Sequence, residues 1–175
     1  MARSRFFQPG PKPRGNPLAT HNRYNTVLTR IEIATTIAPL RACFEHIRAG
    51  VATHDEYIVL HSAFLVAQEI EAQGVVRGLQ EHIAAALQAC QAYEWRSSTG
   101  QAWKPSALHF HELDAMREML DLHEFQLQQL TAAELHEAAR RLIARTQSQG
   151  GQVFEAENDL SRMTPHKQQQ KRKRA

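Results

Sequence analysis

The chain has 175 residues, 42% hydrophobic and 22% charged, an ordinary globular composition with length enough to enclose one core. No apolar run approaches the ~20 residues of a membrane span. The positive charges of Met1–Gly15 have no apolar stretch behind them, so no secretory signal is expected.

The formal net charge of +3 conceals a partition. Residues 1–31 hold six Lys/Arg and no acid, and residues 160–175 hold six more and no acid. All 18 acids lie between them beside nine basic residues, so the chain runs +6, −9, +6: basic tails on an acidic body. The two cysteines, Cys43 and Cys90, sit in apolar contexts at no metal-ligand spacing. They are expected to be reduced, buried thiols in a cytoplasmic protein.

Residues 1–25 read as a disordered tail. The run Pro9-Gly10-Pro11-Lys12-Pro13-Arg14-Gly15-Asn16-Pro17 alternates residues that resist helix formation, and favours extended or polyproline-like backbone. Phe6 and Phe7, just ahead of it, are out of place in a solvated tail and suit docking on the body or on a partner. From Thr26 the pattern turns helical. Val27, Ile31, Ala34 and Ala38, then Ile37, Leu40, Phe44, Ile47 and Val51, give an apolar face that ends at Gly50. Pro39 lies inside it and predicts a kink or a break into two short helices.

Thr53-His54-Asp55-Glu56 is a capping box, and the helix it starts, His54 to about Gln73, is apolar nearly all round. Such a helix belongs at the centre of a core. A third runs from about Val76 to Trp95. Arg96–Ser106 is a turn-rich loop bordered by Tyr93, Trp95 and Trp103, aromatics that more commonly close the end of a core than bind a ligand.

Ala107–Thr146 reads as two helices meeting at Thr131, which with Glu134 forms a second capping box. In the first of them Leu113, Met116, Leu120, His123, Leu127 and Leu130 recur at three, four, three, four and three. A seam so regular needs a partner, within the chain or on another one. After Thr146 the pattern fades into Gln147-Ser148-Gln149-Gly150-Gly151 and then a basic Gln/Lys/Arg run. The expected architecture is all-α: a compact bundle of about five helices over residues 26–148, with flexible basic ends at 1–25 and 149–175.

Ten histidines invite a metal site. His109 and His111 stand at i and i+2, which point apart on a helix, and His54 and His61 are two turns apart, about 10 Å along an axis. Neither His-Glu-x-x-His nor Glu-x-x-His occurs. Asp114, Glu118 and Asp121, with Glu112 and Glu124 nearby, line one helix face, as a solvated face also would. His123 is sharper, because it lies in the seam: a hydrogen-bonded core histidine or a register-setting contact. Phosphate-cradling glycine loops and a Gly-x-Ser-x-Gly nucleophile are absent, and no cofactor is implied.

The basic tails are the clearest functional signal, because Lys/Arg clusters without acids bind polyanions by counterion release. Arg3, Arg5, Lys12, Arg14, Lys167, Lys171, Arg172, Lys173 and Arg174 are the candidate nucleic-acid contacts. The expected function is that of a non-enzymatic interaction protein, adaptor or regulatory. Its acidic body binds a protein partner or a second copy, with Leu113, Leu120, His123 and Leu127 as candidate contacts. The alternatives are a metal-dependent enzyme using His109, His111, Glu112 and Asp114, or a purely structural oligomer.

Overall fold

The structure, a computed structural model, describes residues 17–100 and 102–150, with side chains from 21 onward. It is all-helical: α1 (Pro17–Tyr24), α2 (Arg30–Arg48), α3 (His54–Gln73), α4 (Gln80–Ser97), α5 (Phe110–Gln129) and α6 (Ala132–Ser148). Among the described residues the only β pairing is an isolated bridge, Val27 to Thr131. None of these helices is long and apolar enough to cross a membrane.

The six helices exceed the expected five by α1, which occupies part of the stretch read as tail. Pro17 is its first residue, the position where proline's missing amide costs nothing and its fixed φ favours the helix. Thr26 is not the start of α2. Thr29 is: its hydroxyl accepts from Glu32 N–H while the Glu32 carboxylate accepts from Thr29 N–H at 2.8 Å. The Leu28 amide donates to the Leu130 carbonyl at 2.9 Å, which fastens the entry to α2 onto the α5–α6 corner.

Pro39 does not split α2, which runs unbroken through it. Pro39 is exposed, so the carbonyl one turn earlier that loses its partner faces water. The opposite face carries Ile33, Ile37, Leu40, Phe44 and Ile47 into the core.

Helix α3 is central, packing against α2, α4, α5 and α6. Tyr57, Leu60, Phe64, Ala67 and Ile70 are buried, and Thr53 and Glu56 form the expected box. Gly74, in the left-handed region at φ 80°, closes the helix. The Glu71 carboxylate then accepts from Gly78 N–H at 2.8 Å and Leu79 N–H at 3.3 Å, capping α4 from outside. Trp103 covers the end of the core, its indole donating to the Ala52 carbonyl at 2.9 Å and its ring against His54, Tyr57 and Tyr93. Helix α5 packs against α4 and α2 to complete the bundle, and α6 packs on α3.

Candidate interaction surface

The seam of α5 is consumed inside the chain. Leu120 (1% exposed), His123 (2%) and Leu127 (0%) are core residues, and Leu113 is half-buried against the same core. The expectation that they face a partner is therefore corrected: α2, α3 and α4 already cover the stripe. His123 is the hydrogen-bonded core histidine. Its Nδ1 lies 3.1 Å from Gln126 Oε1, while Gln126 Nε2 donates to the Ala67 carbonyl of α3 at 3.2 Å. That second bond fixes the amide, so Nδ1 carries the proton. Burial pushes the His123 pKa down, with the Gln126 bond opposing.

The His109/His111/Glu112/Asp114 set does not converge. The rings of His109 and His111 stack 5.8 Å apart, but Glu112 is 2% exposed and points into the bundle. It accepts from Arg96 at both oxygens (2.7 and 2.5 Å) and from the His109 amide at 2.8 Å. Burial pushes its carboxyl up, yet Arg96 and the amide together override that and hold it below the usual range. Asp114 turns outward to Arg117 at 3.7 Å. Among the described residues, no three His, Cys, Asp or Glu side chains are placed to hold a metal ion.

The acidic face of α5 is occupied from neighbouring helices. Arg41 of α2 reaches Asp121 at 2.8 Å and Glu124 at 2.7 Å, and His82 of α4 lies 3.3 Å from Glu118. Both cysteines are free and buried. Burial pushes their thiols up, Cys90 to about 12, which leaves them poor nucleophiles.

One polar group went unread in the sequence. The Tyr57 hydroxyl lies 2.9 Å from Glu94 Oε2, 3.3 Å from the Cys90 carbonyl and 3.5 Å from His61 Nδ1, with the His61 ring stacked on its own. Burial drives the phenol far up and His61 down. With Tyr57 1% exposed, no substrate reaches the hydroxyl, and the group acts as a polar staple between α3 and α4.

What the surface offers is aromatic. Trp95 near the end of α4 is 78% exposed, and Phe110 at the start of α5 is 80% exposed. Their helix ends are locked together by the Arg96–Glu112 pair and by Arg96 donating to the Ala107 carbonyl at 3.3 Å. A groove between the two helices is lined by Ala85, Gln88, Ala89, Ala92, His111, Glu112 and Ala115. Trp95, read in the sequence among the aromatics that close the end of the core, is exposed instead, and Trp103 and Tyr93 take that role; Phe110 carried no signal in the sequence.

The candidate nucleic-acid contacts Arg3, Arg5, Lys12, Arg14, Lys167, Lys171, Arg172, Lys173 and Arg174 lie outside the described residues, as do Phe6 and Phe7. Residues 17–150 carry 15 acids against 11 Lys/Arg, a net −4. Over the described residues the chain is an all-α bundle whose two most exposed aromatics, Trp95 and Phe110, stand where α4 ends and α5 begins. No family model matches the chain, and neither a curated protein nor a solved structure does.

Proposed function

We propose that this is a non-enzymatic interaction protein, adaptor or regulatory, acting in the cytoplasm. Its helical body engages a protein partner or a second copy through the α4–α5 end, and its basic terminal arms hold nucleic acid by sequence-independent electrostatics. The observation that carries the reading is the exposure of Trp95 and Phe110 on helix ends locked by the Arg96–Glu112 pair. Large aromatics on a rigid frame supply contact area at little conformational cost and are enriched among residues that dominate binding energy. The charge partition supports the second half: a body at net −4 repels phosphate, while the arms carry their positive charge in acid-free runs. The carboxylates and histidines best suited to acid–base work, Glu112, Glu94 and His123, are tied to Arg96, Tyr57 and Gln126, which favours binding over catalysis.

Fluorescence anisotropy with a labelled duplex tests the arms. The full chain is expected to bind at low salt. A variant with Gln at the nine candidate arm residues is expected to lose that binding while keeping its helical spectrum. Equal affinity of the two removes nucleic acid from the account. Light scattering then tests the body: if the chain self-associates, Trp95→Ala/Phe110→Ala returns it to monomer.

A further inference from the structure

Helix α4 presents an uncharged face to solvent. Residues 83–93 contain no Lys, Arg, Asp or Glu, yet Ala84, Ala85, Gln88 and Gln91 of that run are exposed. The outer face of a bundle helix ordinarily carries charge, as α6 does with Glu137, Arg140 and Arg141.

A recess and a protrusion lie along this helix. The recess is the α4–α5 groove, about 280 Å³, with four alanines among its seven lining residues. Its one acid, Glu112, is held by Arg96, so no free carboxylate opens into it. That volume is below the ~300 Å³ at which small-molecule pockets begin, and suits a single side chain. The protrusion is Trp95, 78% exposed. It follows Ala92, the last α4 residue of the groove, by three positions, about 5 Å along the axis. Its ring leaves the recess of its own chain open.

A twofold axis in the plane of the face, midway between protrusion and recess, exchanges the two and fills both grooves at once. A knob and a hole on one surface are self-complementary in the way an isologous contact requires. Charge selects the same occupant. Copies at net −4 over residues 17–150 repel each other, and approach is least opposed where the face holds no charge. A partner recruited by charge would be steered to the acidic faces instead.

We propose that two copies pair through α4, each placing Trp95 in the α4–α5 groove of the other. The pairing rests on the reading of the α4–α5 end as the interaction surface and narrows its occupant to a second copy. Phe110 projects about 140° around α5 from Ala115 of the groove and takes no part. Two exchanged indoles of about 150–250 Å² each make a contact at the small end of interface sizes, so the dimer is weak and reversible.

Sedimentation equilibrium of the full chain over a range of concentrations is the test. A monomer–dimer equilibrium is expected, with its dissociation constant raised at least about tenfold by Trp95→Ala and unchanged by Phe110→Ala. Ala85→Arg, which fills the groove from an exposed position, is expected to weaken the dimer as much. Mixing Trp95→Ala with Ala85→Arg is expected to recover part of the association, because the tryptophan of one still finds the open groove of the other. A folding defect in either variant gives no such recovery. A monomer at every concentration overturns the proposal, and so does a mixture no tighter than its components. A dimer that survives Trp95→Ala but not Phe110→Ala overturns the exchange and leaves the α4–α5 end as the interaction surface. One indifferent to both substitutions overturns that reading too.

Discussion

His123 joins packing to pH response. Its ring is neutral in the core, with burial holding its pKa below the ~6.5 of an unfolded chain. Between those two values the unfolded state binds a proton that the folded state does not. Stability is therefore complete above ~6.5 and falls with decreasing pH, at up to about 1.4 kcal/mol per pH unit for one site. His61, also lowered by burial, acts with the same sign. Urea midpoints are expected to drop from pH 7.5 to 5.5, and His123→Gln, which keeps a donor for Gln126, to flatten the dependence. A variant as steep as the wild type would assign the slope elsewhere. Glu112 has the opposite limb: its depressed carboxyl adds stability above the unfolded value of ~4.3, lost as pH falls through the folded one. Arg96 is 28% exposed and regains water when its partner is removed, so Glu112→Ala is expected near 3 kcal/mol, the lower end for breaking a buried pair. A loss under 1 kcal/mol in chemical denaturation contradicts the role given to that pair.

The helices show which sequence signals act locally. Thr53 with Glu56 and Thr131 with Glu134 were readable because both members of each box lie on one turn, and the α5 seam because its period belongs to a single helix. The sequence pattern of the seam does not say which helices cover it, and the answer is α2, α3 and α4 of the same chain. The Thr29–Glu32 box was equally local, but the apolar repeat beginning at Val27 drew the helix start too early. Proline-rich context hid α1 in the same way. Pro39 shows propensity overridden by packing: the six buried side chains of α2 keep the helix continuous through it. Pro39→Ala restores an amide on the exposed face and removes the ring clash, offset by greater freedom of the unfolded chain. A gain of about 1–2 kcal/mol is expected. A loss would show that the proline sets a bend the core requires.

At the scale of the whole molecule, what sequence reasoning missed was long-range. Arg96 and Glu112 are sixteen residues apart, Tyr57 and Glu94 thirty-seven, and no local pattern marks either pair. Exposure is a property of the assembled bundle too, which is why Trp95, read as a core-closing aromatic, and Phe110 stand in solvent while the seam that reads as a surface is buried. Charge layout is different, since it is additive along the chain and survives any fold. The proposal that the arms, not the helices, anchor nucleic acid rests on it. The most direct measurement is the salt dependence of duplex affinity for the full chain and for a variant with Gln at Lys171, Arg172, Lys173 and Arg174. Each phosphate neutralised contributes about −0.9 to the slope of log affinity against log salt, so the variant's slope is expected to be shallower by about 3 to 4. An unchanged slope would mean that the C-terminal run touches no phosphate, and would contradict the claim.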